Sequence, residues 1–403
     1  MIGKQSNYDK SPRVAVSGFA GHSWQGWPAI GAALGQAIAR RAARRTVIAV
    51  DLYHGADEAE ILNGLCPGLA PVLIVRAGEA LAEPERLLAM IGPELGDDRI
   101  FGFMSDRLID DFLDAAKLDS LRKKISACPA GTILVVGTGA SLVCQADLLV
   151  YADMARWEIQ QRFRSQELGN WGVDNRGEDF HRKYKQAFFS DWRVLDRHKA
   201  GLFGRMDFVL DTNRKNDPRM VSGAAFRAGL EQATRQPFRV VPFFDPGPWG
   251  GQWMKEVCDQ DRSAPNYAWC FDCVPEENSL LLEVDGVLLE IPAIDLVLGQ
   301  PEALLGERVY RRFGAEFPIR FDFLDTMGGG NLSLQVHPLT DYIRRTFGMT
   351  YTQDESYYLL DAGPEAGVWL GLRDDVDPAA MMADLEAAQS GGPAFPGERH
   401  VQR

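Results

Sequence analysis

A chain of 403 residues with a formal net charge of −13 has room for two or three domains and carries the wrong sign for a general nucleic-acid or anionic-membrane surface. Hydrophobic residues at 46% and charged residues at 25% are the values of a globular protein without a large disordered region. No apolar run reaches the length of a membrane span, Met1 to Arg13 holds no apolar secretory segment, and six scattered cysteines fit reduced thiols. A cytoplasmic protein with neither a nucleic-acid nor a membrane partner is expected.

From the N-terminus, Arg13 to Gly18 reads as a buried strand entering a glycine-containing loop, and Ala29 to Ala43 as a helix. Thr46 to Leu52 reads as the next strand. The apolar runs Ile100 to Met104, Gly131 to Gly137, Asp147 to Tyr151 and Phe208 to Leu210 then alternate with amphipathic stretches. That alternation predicts an α/β domain over residues 1–240, a parallel sheet with helices on both faces.

The order of these parts resembles a P-loop kinase of the uridine kinase type. Gly18-Phe19-Ala20-Gly21-His22-Ser23 follows the first strand, and Ala49-Val50-Asp51-Leu52-Tyr53-His54 looks like the D-x-F-Y region of that family. Arg156, Arg162, Arg164 and Arg176 resemble its arginine-rich lid, although an exposed helix with a solvated arginine face fits them equally. A working P-loop needs a lysine to reach the outer phosphates and a hydroxyl for magnesium, and no lysine lies between Lys10 and Lys117. Arg40, Arg41, Arg44 and Arg45 are most simply a solvated helix end favoured by the helix dipole. The expectation is a degenerate kinase-like domain without phosphoryl transfer.

The prolines and glycines of Pro242 to Gly251 read as a linker that becomes an opening turn, and residues 241–403 as a mainly β domain. Ser279 to Ile291 has the pattern of a hairpin around Asp285-Gly286, followed by a short helix from Ala293 to Leu298. Asp377 to Ala388 reads as a helix. The pair Cys270 and Cys273 has no second pair to complete a zinc site. From Asn331 to Pro338 the residues alternate, which places Leu332, Leu334 and Val336 on one strand face and Ser333, Gln335 and His337 on the other. An imidazole and an amide oxygen two residues apart can converge on a divalent ion, with Glu355 near enough in sequence to add a carboxylate. The same pattern also fits the solvated face of a half-buried strand.

Ser333-Leu334-Gln335-Val336-His337-Pro338 resembles the S-x-Q-V-H-P signature of the type I mannose-6-phosphate isomerases, zinc enzymes built on cupin barrels. Pro248-Trp249-Gly250-Gly251 resembles the P-W-G-G that opens their catalytic domain, and Phe317 to Asp325 the strand and L-D before the signature. Glu355-Ser356-Tyr357-Tyr358 with Leu360-Asp361-Ala362 resembles their E-x-W-Y and L-D-A. The resemblance implies a cupin-like barrel, incomplete within these residues, and an aldose–ketose isomerase that interconverts mannose 6-phosphate and fructose 6-phosphate. It implies Zn2+ held by Gln335, His337 and Glu355, with Ser333 and Trp249 facing a small sugar phosphate; it assigns no catalytic base.

The sequence departs from that family at three places. Asp322 and Gln353 stand where the family carries lysines, and a later G-T-x-H histidine with its catalytic arginine is not found before Arg403. His400 lies in a polar stretch with nothing in the sequence to orient its ring. The front part of a longer isomerase, or a variant with an incomplete site, is therefore expected. The alternative is a non-catalytic sugar-phosphate binding or interaction protein with a degenerate kinase-like domain.

Overall fold

The computed structural model describes residues 6–403; the first five residues of the stretch read as lacking a secretory segment lie outside it. Strand β1 (Arg13–Val16) buries only every second residue, Val14 and Val16. Strand β2 (Ser23–Gln25) leads into helix α1 (Trp27–Arg41), which opens on Pro28 and ends where Ala42 turns left-handed at φ 50°. In β3 (Arg45–Leu52) seven of the eight residues are buried, the pattern of a strand covered on both faces. Helix α2 (Glu58–Leu69) is capped by Asp57, whose carboxylate accepts from the Ala59 and Glu60 amides. Strand β4 (Leu73–Arg76) and helices α3 (Pro84–Leu95) and α4 (Ala115–Ser126) follow, α4 capped in the same way by Asp114.

Strand β5 (Gly131–Gly137), the one-turn helix α5 (Ala140–Val143) and strand β6 (Leu148–Asp153) precede helix α6 (Arg156–Arg164). Helix α7 (Phe180–Gln186) passes through a π-helical turn at Ala187–Asp191 into α8 (Trp192–Ala200). Strands β7 (Phe208–Asp211) and β8 (Arg219–Ser222) and helix α9 (Gly223–Ala233) complete this part. Seven strands form a sheet in the order β2-β8-β7-β6-β3-β5-β4. The run β7-β6-β3-β5-β4 is parallel, and β8 and β2 add antiparallel strands at one edge.

Helices cover both faces of this sheet. On one, Ile30 and Leu34 of α1 and Ile61 and Leu65 of α2 meet Ile48, Val50, Leu134 and Val150. On the other, Leu87, Ile91, Leu121, Ile159 and Trp192 meet Val47, Ala49, Val135 and Tyr151. The α/β architecture expected for the first part is therefore present, but the sheet is mixed rather than parallel, because β2 and β8, neither anticipated, join it antiparallel, and three further corrections are local. Strand β1 lies outside this sheet, because an alternating strand has only one apolar face to bury. Strand β4 was not anticipated. Ile100 to Met104 forms no strand; Phe103 and Ser105 donate to the Glu94 and Phe189 carbonyls, and Ile100 and Phe101 stay exposed.

Next come β9 (Phe243–Asp245), α10 (Trp253–Val257) and β10 (Trp269–Cys273). Strands β11 (Ser279–Val284) and β12 (Val287–Pro292) form the expected hairpin. Asp285 and Gly286 turn it with φ of 48° and 80°, the two positive angles a tight two-residue loop requires. Parallel pairing of β1 with β11 makes the sheet β1-β11-β12, so strands from before and after residue 240 share one ladder. Helices α11 (Ile294–Gly299), α12 (Pro301–Leu305) and α13 (Glu307–Phe313) lead to β13 (Phe321–Leu324), which completes an antiparallel sheet β13-β10-β9.

No barrel closes among the described residues. Asn331 to Pro338 forms no strand: it runs irregularly to helix α14 (Thr340–Phe347), with Leu334 51% and Val336 82% exposed. Alternation marks which side chains share a face but supplies no neighbouring strand to pair with, and an unpaired strand has no ladder to hold it.

One compact unit extends to Asp354 and a second comprises Glu355–Arg403. The second contains helix α15 (Pro378–Gln389), capped by Asp377, and the short α16 (Gly397–His400). There His400 is buried, its Nε2 2.7 Å from Asp384 Oδ2 and its ring stacked on Phe395. The orienting partners that the sequence did not reveal are thus provided by α15 and its following loop. Among the described residues no helix is long and apolar enough to cross a membrane.

Candidate functional site

In an open α/β sheet ligands bind outside the carboxyl ends of the strands, where neighbouring strands send their connections to opposite sides. Here the chain leaves β3 towards β4 and leaves β6 towards β7, so that point lies between β3 and β6. Three strands carry a buried aspartate at or next to their carboxyl end: Asp51 on β3, Asp153 on β6 and Asp211 on β7.

Asp51 accepts from the Gly139 amide at 2.8 Å, from the Ser141 amide and hydroxyl at 3.0 and 2.5 Å, and faces His198 Nε2 at 3.0 Å. Burial pushes its carboxyl up, but the bonds from His198 and Ser141 outweigh burial and hold it below the usual aspartate range. Serine, histidine and aspartate do meet here. However, the Ser141 hydroxyl lies closest to the carboxylate and 3.4 Å from the imidazole, so the group braces the β5–α5 turn rather than priming a nucleophile.

Beside it, Lys199 Nζ sits 3.1 Å from Asp153, 2.5 Å from Asp295 of α11 and 4.4 Å from the Tyr53 ring centre, with no part of its side chain exposed. The Asp295 contact is close but poorly aligned for a hydrogen bond. Burial, then repulsion from Asp153, holds the Asp295 carboxyl far above its usual range, while the two aspartates raise Lys199 against the opposing effect of burial. A lysine held between two acids keeps the buried opposite charges together in the interior. Arg156 pairs with Asp196, and Tyr53 donates to that carboxylate at 2.8 Å.

The expected lid arginines form neither a free phosphate clamp nor a uniformly solvated face. Arg156 and Arg162 are buried, and Arg162 donates to Glu158 and to the Gly55 and Asn213 carbonyls. Exposed Arg164 forks onto Asp245 with two bonds of 2.8 Å, and Arg176 pairs with Asp174. The loop read as a degenerate P-loop leads to β2 before any helix, and its Gly21 amide donates to the Asp285 carboxylate. Arg40 and Arg41 do stand exposed in the last turn of α1.

The residues named for metal and sugar lie elsewhere. Trp249 is buried against Trp269, 4.7 Å between ring centres, so it packs a core. Its turn interlocks with the stretch before the signature: the Gly251 amide donates to the Asp325 carbonyl, Gln252 to Met327, and Gly330 back to Trp249. A Cβ on Gly329 would overlap the Trp249 and Gly250 carbonyls, so only glycine permits that approach. Two of the recognised motifs thus meet in space.

Beyond them, His337 Nε2 lies 3.3 Å from Gln335 Oε1 and His337 Nδ1 lies 2.8 Å from the Gln353 carbonyl. Gln335 and Ser333 are exposed and His337 is half-buried. Exposed Glu355 opens the second compact unit, where the Tyr357 hydroxyl donates to it at 3.1 Å. Among the described residues no three His, Cys, Asp or Glu side chains are grouped to hold a metal ion. The expected set contains only two residues of those types, its third being a glutamine.

That donor pair fits zinc. A carbonyl can only accept, so this contact calls for a proton on Nδ1, and a neutral ring with that proton has its lone pair on Nε2, on the side of the amide oxygen. Two ligands at the usual zinc distances and tetrahedral angle lie about 3.4 Å apart, close to the observed spacing.

Residues 26–235, just over half of the chain, match the model of a family described as a domain of unknown function, DUF8485. The chain belongs to that family. No curated protein matches it. The family's segment runs from α1 to α9, covers six of the seven strands of the large sheet, all but β2, and takes in Asp51, Asp153, Arg156 and Lys199, whereas Asp295, Gln335 and His337 lie beyond it. Of the crevice residues, sequence reasoning reached Asp51 and Arg156 and missed Lys199 and Asp295. The available signal was a single charge in an apolar run, as in Ile294-Asp295-Leu296-Val297.

Proposed function

We propose that this chain takes part in zinc-dependent aldose–ketose isomerisation of mannose 6-phosphate and fructose 6-phosphate. The observation that carries the reading is the pairing of His337 Nε2 with Gln335 Oε1, the imidazole fixed from behind by the Gln353 carbonyl. The 3.3 Å between the imidazole nitrogen and the amide oxygen matches the separation of two ligands on one zinc ion, and it also suits a hydrogen bond between them. The four ordered motifs and the interlock of Trp249–Gly251 with Asp325–Gly330 support the same reading. Zinc bound there would polarise the sugar carbonyl and so favour proton transfer between neighbouring carbons. Gln335 and His337 would hold it, and Ser333 would face the sugar phosphate.

A second reading, a sugar-phosphate binding or interaction protein without chemistry, is favoured by the absence of a sheet around Asn331 to Pro338 and by the internal pairing of Arg156, Arg162 and Arg164. Zinc content separates the two. About one zinc per chain, lost in His337→Ala, together with mannose 6-phosphate isomerisation that a chelator abolishes and zinc restores, is expected of the isomerase. Sugar-phosphate binding in a zinc-free protein would favour the second reading.

A further inference from the structure

The carboxyl ends of β3, β6 and β7 are the place where an α/β sheet ordinarily receives a ligand, yet polar groups from one later stretch of the same chain reach into them. On β7, Asp211 accepts from the Glu290 amide at 2.9 Å, and Asn213 donates to the Glu290 carbonyl at 3.0 Å. On β6, Asp153 and Asp295 hold Lys199 between them. Over α6 and α7, Arg156 donates to the Glu276 carbonyl at 3.1 Å, while Gln160 and Tyr184 both donate to Glu277. The stretch from Glu276 to Asp295 contains the hairpin β11–β12, and it meets the sheet through backbone groups as well as side chains.

We propose that the ligand end of this sheet is a docking site in cis: its occupant is the chain's own segment Glu276–Asp295, locked by Lys199 between Asp153 and Asp295. The family domain then serves as a scaffold that positions the following β segment and does not take up a nucleotide. The buried polar groups argue for this assignment. Lys199, Asp153 and Asp295 are at most 1% exposed in their side chains, and a buried ion pair is tolerated only where its partners stay in place. A crevice awaiting a nucleotide would keep its arginines accessible, whereas Arg156 is fully buried against Asp196 and the Trp192 ring.

Asp295→Ala removes the lock from the docked side only and leaves the Asp153–Lys199 pair intact. Amide hydrogen exchange of the full chain is expected to speed up at least about tenfold in residues 276–299 and to stay unchanged in β3 and β5. Lys199→Met should open the same residues while also taking the partner from Asp153, and Asp295→Ala added to it should have little further effect on residues 276–299, because the Lys199–Asp295 contact is already gone. Asp295→Asn, of the same shape, is the folding control and should leave β3 and β5 protected. Equilibrium dialysis of the full chain against ATP or ADP with magnesium should show no saturable binding. Unchanged exchange in 276–299 with Asp295→Ala, equal acceleration throughout β3 and β5, or saturable nucleotide binding that protects α6 and α8 would each overturn the proposal.

Discussion

Gly251 and Asp325 are held in contact, the Gly251 amide donating 2.8 Å to the Asp325 carbonyl while its Cα faces the Asp325 side chain without room for a Cβ. That carboxylate is already engaged, accepting from the Met254 and Met327 amides at 2.9 and 3.0 Å. Gly251→Ala must therefore displace a buried, doubly bonded carboxylate. We expect a loss of about 1–3 kcal/mol, read as a lowered denaturant midpoint at unchanged slope. A variant as stable as the parent would show that the two turns are not locked.

The Nδ1 proton of His337 is predicted from the Gln353 carbonyl it faces. At about pH 8, where an ordinary imidazole is neutral, nitrogen NMR of the zinc-free chain should report the Nδ1–H tautomer. Added zinc should shift the Nε2 resonance and leave the Nδ1 proton in place. An Nε2–H tautomer without zinc would remove the physical argument for the metal site.

Buried Glu277 should make the protein less stable as pH rises. Burial pushes its carboxyl up to about 7, although bonds from Tyr184 and Gln160 and the nearby Arg156 pull it part of the way back. The folded state therefore holds a proton that the unfolded chain releases above about pH 4.5. The stabilisation is complete below that value and is lost as pH rises to about 7. Over pH 5 to 7 one such group removes about 2 kcal/mol, so Glu277→Gln should flatten the stability profile by about that amount. Asp191 and Asp211, also raised to about 7 by burial, act in the same direction. His54, lowered to about 4 by burial, opposes them, since its folded form is neutral and gains stability as pH rises from about 4 to 6.5. Urea melts of parent and variant at both ends of this range decide the matter.

Arg156→Met should be among the most damaging substitutions. It leaves Asp196 without its guanidinium partner and deprives the Glu276 carbonyl of a donor, both in the interior. Breaking a buried pair from one side costs about 3–5 kcal/mol. Chemical denaturation should show a loss of that size, and a loss below about 1 kcal/mol would mean that water reaches the carboxylate.

The sequence by itself determined β3, β5, β6 and β7, because parallel strands buried on both faces are continuous apolar runs that local reading detects. It also determined the hairpin, since Asp285-Gly286 suits a turn with two positive φ angles. The four motifs were legible as local patterns of residue types. Pairing was not legible: β1 carries the same apolar signal whether it joins the main sheet or β11, and only packing against α9 and the hairpin decides between them. The lack of a ladder at Asn331 to Pro338 was equally invisible, because a period of two identifies a face and not a neighbour. Nor could spacing place Lys199 between Asp153 and Asp295, which are far apart along the chain; folding brings them together where burial makes each the condition for the others.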